Sequence, residues 1–173
     1  MDSVYDKVAV IIPYYKGEEF IRDCVSSVLG DAPVRIIIVD NDPSKETLVI
    51  ENNMVEVLKT QPGIGFGRAV NVGIELAISK GFEILVLLNQ DTVIRKSSLK
   101  ELIKHITYTN LEVYVPVLMD YDMRLLAKDF MNRTMENKST QLLLENPHIE
   151  VLKASAACMC FHKNTFFRRS PPP

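Results

Sequence analysis

Apolar residues gather in short unbroken runs at 8–12, 36–39 and 84–88, with a mixed run at 55–58. Runs without polar alternation are the pattern of parallel strands covered on both faces. Between them, apolar positions recur at three- and four-residue steps: Ile21, Val25, Val28 and Leu29; then Val70, Ile74, Ala77 and Ile78; then Leu99, Leu102, Ile103 and Ile106. The spacing predicts helices over 18–29, 67–79 and 97–106. Gly81 is placed to stop the second helix, and Ser98 with Glu101 predicts a capping box at the start of the third. Strand and helix alternate through the first two-thirds of the chain. That order predicts an α/β sheet with right-handed crossovers and a ligand site at the carboxyl ends of the strands. Beyond residue 117 the pattern degrades into a polar stretch at 119–147, with a short helix expected around 123–131 and a further strand over 151–161. The chain ends in two arginines, a serine and three prolines that cannot donate to a ladder.

Composition narrows the classes of function. At 173 residues, 47% hydrophobic and 24% charged, the chain is expected to form a single domain around one core. Its 20 basic and 22 acidic residues give a formal charge of -2, so the electrostatic footprint of a nucleic-acid binder is absent. The longest apolar run, 156–161, is far short of the roughly 20 residues needed to cross a bilayer. The first residues do not read as a secretory signal, and a cytoplasmic location is expected. Cys24, Cys158 and Cys160 lack the spacing of zinc or redox sites and are expected to be reduced, buried thiols. His105, His148 and His162 are scattered without ligand spacing. The two matches to the glycosylation acceptor pattern, at 132–134 and 137–139, carry no weight in a protein of that location.

Candidate chemistry lies where the strands end. Pro13 is expected to end the first ladder and turn Tyr14, Tyr15 and Lys16 into a loop over the sheet edge. The second strand runs into Asp40, Asn41, Asp42, Pro43 and Ser44, making Asp40 a candidate to accept hydrogen bonds from a base or ribose. An acid-rich turn chosen for its backbone preferences is the competing explanation. Gly63, Gly65 and Gly67 alternate just before a helix, where backbone can approach an anion closely with Arg68 as a cation. The run is neither the dinucleotide fingerprint nor a P-loop, and a simple loop explains it equally well. The fourth strand delivers Asn89, Gln90 and Asp91, of which only Asp91 is anionic. A hard divalent ion bridging phosphates takes one or two carboxylates, and Asp91 suits that role. Alternatively, Asn89 and Asp91 cap the following turn.

Taken in order, IIPYYKGEEFIRDCVSSVL, RIIIVDNDPS, QPGIGFGRAVNVGI and LVLLNQDTVI make a sequence that resembles the family 2 nucleotide-sugar glycosyltransferases of the GT-A fold, in their rhamnosyltransferase-like form. The match runs over residues 8–102, with a weaker echo at 154–167. The resemblance implies a Rossmann-like three-layer α/β/α sandwich with a mostly parallel sheet, incomplete at its C-terminus. It divides residues 1–173 into a nucleotide-sugar-binding half, 1–117, and the start of an acceptor-side half, 118–173. It places Pro13 and Tyr15 in the loop over the nucleotide, Asp40 at the base, and Arg68 and Asn71 beside the donor. Asn89, Gln90 and Asp91 fall where the family has its DXD motif, with Asp91 as the Mg²⁺ or Mn²⁺ contact and Asn89 replacing the first acid. The implied reaction is inverting transfer from a UDP- or dTDP-sugar to a glycan or lipid-linked acceptor, in cell-surface polysaccharide synthesis, with association at the inner face of the plasma membrane.

The family's general base lies in an acidic motif beyond the small-residue strand, and no acidic residue follows Glu150. The chain as given is therefore expected to be a truncated piece, or a form that binds donor without transferring well. Two further classes compete: a nucleotide-binding module that keeps the fold without the chemistry, and a nucleotidyltransferase. The second needs a glycine-rich basic loop after the first strand, where this chain has Pro13, Tyr14, Tyr15 and Lys16 with only Gly17 following.

Overall fold

In a computed structural model, residues 3–44, 46–109, 113–119 and 157–166 are described. They form six strands and three α-helices: β1 (Val8–Tyr14), α1 (Glu18–Asp31), β2 (Arg35–Asp40), β3 (Val55–Lys59), α2 (Phe66–Ser79), β4 (Ile84–Leu88), α3 (Ser98–Tyr108), β5 (Val113–Tyr114) and β6 (Cys158–His162). The sheet order is β3-β2-β1-β4-β6-β5. β3, β2, β1 and β4 run parallel, while β6 pairs antiparallel with both β4 and β5. The expected short helix at 123–131, the N-terminal part of the expected 151–161 strand, both glycosylation patterns and His148 lie outside the described residues.

The unbroken apolar runs are sorted to two faces by the strand pleat. Val8, Val10, Ile12, Ile36, Ile38, Ile84, Val86 and Leu88 face one way, against Ile21, Cys24, Val25 and Val28 of α1 and Leu99, Leu102, Ile103 and Ile106 of α3. Ala9, Ile11, Ile37, Val39, Leu85 and Leu87 face the other way, against Ala69, Val70, Ile74 and Ala77 of α2. The result is the expected α/β/α sandwich. Full burial of each Ile, Leu or Val is worth about 1.5–3 kcal/mol.

Small residues let α2 sit close to the sheet. At Gly73 an added Cβ would come within 2.5 Å of Ile11 Cγ2 and 3.0 Å of Val39 Cγ2. The helix ends as expected at Gly81 (φ 89°), with Phe82 N–H donating to Ala77 O and Gly81 N–H to Ile78 O, the paired bonds of a Schellman stop.

Two local expectations are corrected. Pro13 does not end its strand: pairing with β2 continues through Pro13↔Val39 and Tyr14↔Asp40, and only the ladder to β4 stops, at Ile11. A proline at a strand's end beyond one neighbour's reach removes no bond from that side. Nor is there a capping box at α3, whose N-cap is Ser97 in a left-handed conformation with no side-chain cap of its own. Asp31, the last residue of α1, takes that role from across the layer. Its carboxylate accepts the N–H groups of Ser97, Leu99 (2.8 Å) and Lys100 (3.2 Å). An anion at the end of α1 opposes that helix's own dipole, and the start of α3 supplies the compensating positive end.

All three cysteines are free and buried; burial pushes the thiols of Cys24 and Cys158 up to about 12 and raises that of Cys160 as well. Among the described residues, no helix is long and apolar enough to cross a membrane.

Candidate functional site

A crevice of about 480 Å³ lies over the carboxyl ends of β1, β2 and β4, walled by the loop that leads into α2. It is lined by Pro13, Tyr15, Asn41, Gly63, Gly65, Phe66, Asn89, Gln90 and Asp91. β2 and β4 flank β1 on opposite sides, so this is the point where the winding of the sheet reverses, the expected place for a ligand. Of the seven residues that the sequence nominates, the fold brings Pro13, Tyr15, Asn89 and Asp91 together here. Arg68 and Asn71 are exposed on α2 and do not line the crevice.

Asp40 stands elsewhere. It is fully buried, and both carboxylate oxygens are occupied. Oδ1 accepts the Asp42 N–H and Oδ2 the Leu48 N–H, each at 3.0 Å, while Lys59 Nζ lies 3.2 Å from both. Lys59 is the register partner of Asp40 on β3, which brings the two side chains to one face of the sheet. The carboxylate thus closes the loop after β2 rather than opening toward the crevice. Strand alternation is the reason. Ile38 and Asp40 point to the α1 face, whereas Ile37, Val39 and then Asn41 point toward α2, where the crevice lies.

Asn41 is the side chain that sequence reasoning missed. It is only 3% exposed, and its Nδ2 donates to Tyr14 O at 2.9 Å. That bond orients the amide, because the reversed arrangement would set two carbonyl oxygens against each other. Its Oδ1 is then the acceptor end of the amide, turned away from Tyr14 O. The period-two pleat carried past Val39 is the signal that would have found it.

The α2 end of the crevice is built to meet an anion. Gly65, with φ 83° and ψ 159°, occupies a region only glycine enters readily, and it directs the chain into the helix. No side chain caps α2 and its first turn holds no acid, and its N-cap Gly65 and first residue Phe66 line the crevice, which leaves the uncapped helix start beside it. Thr60 N–H to Asp40 O (2.9 Å) and Gly63 N–H to Asn41 O (3.0 Å) stitch this loop to the end of β2.

Opposite stand Asn89 and Asp91. Asp91 is exposed, and the Oδ1 of Asn89 is buried without a hydrogen-bond partner. The described residues contain no group of three or more His, Cys, Asp or Glu that could enclose a metal. One carboxylate and one unpartnered amide oxygen fit a magnesium- or manganese-type ion that completes its shell with phosphate oxygens and water.

The wall bearing Tyr15 is held from two sides. Lys16 N–H donates to Asp42 Oδ2 at 2.9 Å, and Tyr15 N–H to Gln90 Oε1 at 2.8 Å. Hydrogen bonds from Ser44, aided by the one from Lys16 and by the nearby Lys59, hold the Asp42 carboxyl below the usual aspartate range. A depressed folded-state value stabilises the fold above the unfolded value of about 4, and that contribution disappears as pH falls through the lower one. Melting temperature followed from pH 5 downward should therefore fall less steeply in Asp42→Asn than in the wild type.

Solved structures share this fold. TarS residues 1–349 from S. aureus, in complex with UDP-GlcNAc, superimposes with a TM-score of 0.63 at 17% identity, over 91% of this chain and 45% of that one. The mannosyltransferase PcManGT from Pyrobaculum calidifontis, in complex with GDP-Man and Mn²⁺, gives 0.53 at 15% identity, over 68% and 37%. These likenesses define the class by its fold: mixed α/β, of the GT-A glycosyltransferase type. The profile of "Glycosyl transferase family 2" matches residues 9–171, and the chain belongs to that family. Glycosyltransferase GlyG of Streptococcus pneumoniae serotype 4 is 25% identical over 123 residues, 66% of this chain and 40% of the relative. The low-salt glycan biosynthesis hexosyltransferase Agl10 of Haloferax volcanii is 26% identical over 120 residues, 68% and 38%. The chain thus spans about two-fifths of the length of the curated relatives it matches.

Proposed function

We propose that this chain carries the donor-binding part of a nucleotide-sugar glycosyltransferase, with residues 1–117 holding the donor and residues 118–173 beginning the acceptor side. The observation that carries this reading is the shared crevice. A helix N-terminus and Asp91 bracket the space for a diphosphate, while Tyr15 and the Asn41 amide flank the space for a nucleoside. An amide oxygen accepts from a ring N–H of the kind uracil and thymine present, which suits a UDP- or dTDP-sugar as donor. Asp91, with Asn89, would hold Mg²⁺ or Mn²⁺; the ion supplies charge stabilisation to the departing diphosphate. The chain's own share is to orient the diphosphate along α2 and to fix the nucleoside between Tyr15 and Asn41. By resemblance to rhamnosyltransferase-like members, transfer is inverting, to a glycan or lipid-linked acceptor of cell-surface polysaccharide, in the cytoplasm at the inner face of the plasma membrane.

The test is a melting series with UDP, dTDP, GDP and ADP, each with and without Mn²⁺. UDP or dTDP should raise the melting temperature, with a gain of about 2.7 kcal/mol at a hundredfold excess over Kd. Asp91→Ala should abolish the Mn²⁺-dependent part and leave the metal-free part in place. Nucleotides that leave the melting point unmoved at millimolar concentration would refute the reading.

A further inference from the structure

Gln90 stands between Asn89 and Asp91, yet its side chain does something neither neighbour does. Its Oε1 accepts the Tyr15 N–H at 2.8 Å and its Nε2 donates to Lys16 O. Both ends of one amide are therefore spent on the loop after β1. That loop is an unusual piece of backbone: Lys16 (φ 57°) and Gly17 (φ 83°) are successive left-handed residues, and a lysine there is strained. A Cβ at Gly17 would lie 3.1 Å from Gln90 Nε2, so the amide packs directly against the glycine. Asp42 takes the remaining Lys16 N–H. A conformation that the chain would not hold alone is thus tied down by side chains from the ends of β2 and β4.

We infer that Gln90 is a positioning residue that locks the Tyr15 wall of the crevice to the turn bearing Asp91, so that the nucleoside end and the cation end of the site are set as one body. The inference rests on the proposed function and goes beyond it. Asn89 and Asp91 face the ligand, whereas Gln90 acts through Tyr15 and Lys16. Binding at Asp91 and binding at the Tyr15 wall are then mutually reinforcing, because each finds the other half already placed.

The experiment compares wild type, Gln90→Met and Gln90→Glu by amide hydrogen exchange, melting temperature, and calorimetric UDP binding with and without Mn²⁺. Gln90→Met keeps length and loses both hydrogen bonds; Gln90→Glu keeps the acceptor for Tyr15 and loses the donor. The Tyr15 amide should exchange at least about tenfold faster in Gln90→Met. The Lys16 amide, held by Asp42, should change less. UDP affinity should fall about 10- to 100-fold, as should the gain that Mn²⁺ gives it, at a melting temperature within a few degrees of wild type. Gln90→Glu should recover the Tyr15 protection and part of the affinity; should the methionine variant not fold, Gln90→Glu against wild type carries the same comparison through the Lys16 carbonyl contact. Unchanged Tyr15 exchange, or faster exchange with unchanged UDP affinity and Mn²⁺ dependence, overturns the inference. Failure of wild type to bind any nucleotide is a different result: it removes the donor-site reading itself, whatever Tyr15 exchange shows.

Discussion

Asp40→Ala should destabilise the domain by about 3 kcal/mol, a cost typical of breaking a buried, hydrogen-bonded charge pair. The carboxylate is 1% exposed, and it serves two backbone N–H groups as well as Lys59. Alanine leaves the Leu48 N–H, at a buried position, without an acceptor. Lys59, whose side chain is 25% exposed, can turn to water, so most of the loss comes from the orphaned backbone groups and the loosened 41–48 loop. Urea unfolding gives the number. The control is Asn41→Ala one position along, where the expected pattern is reversed: about 1 kcal/mol of stability is lost with the Tyr14 hydrogen bond, while UDP binding falls about tenfold or more. Equal stability losses at the two positions, with UDP binding hurt only at Asp40, would show that the base reads Asp40 after all.

Asp31→Ala should cost a similar amount, about 2–4 kcal/mol, because one carboxylate satisfies three leading N–H groups of α3. An exposed cap is worth about 1 kcal/mol. Here Leu99 is 1% exposed, so its N–H cannot recover the loss from water, and the burial penalty adds to the cap. Asp31→Asn, which keeps one good acceptor and loses the charge that favours the helix start, should fall midway. The same urea titrations measure both. Ser98→Ala, which removes the hydroxyl of the expected capping box, should change stability by less than about 0.5 kcal/mol. A large effect at Ser98 with none at Asp31 would reverse the assignment.

Both results bear on what a linear reading can see. A capping box is a local pattern, and Ser98 with Glu101 satisfies its spacing, but α1 and α3 lie on one face of the sheet and bring Asp31 to the N–H groups of Ser97, Leu99 and Lys100 at the same helix start. The competitor is 66 or more residues away in sequence, beyond any local rule. Asp40 lies outside the crevice for a simpler reason: its carboxylate marks a strand end, but the pleat decides which face that end serves, and the crevice is on the other one. Arg68 and Asn71 suit a donor by charge and by position in the motif, yet the helix turns them to solvent. Gln90 carries no charge and stands at the motif's unspecified middle position. Its part emerges only when the ends of β1 and β4 lie side by side.

Residue order alone was enough for the strand and helix alternation, the two-faced burial, the stop at Gly81, a crevice at the strand ends, and Pro13, Tyr15, Asn89 and Asp91 in its lining. These follow from short-range sterics and hydrophobic period, which each segment expresses by itself. The fold alone decided that Asn41 rather than Asp40 reaches the crevice, that Asp31 caps α3, and that Gln90 holds the loop of Tyr15. Each of those depends on which backbone donors and charges are brought near one polar side chain, and that is settled when strands distant in the chain take their places in one sheet.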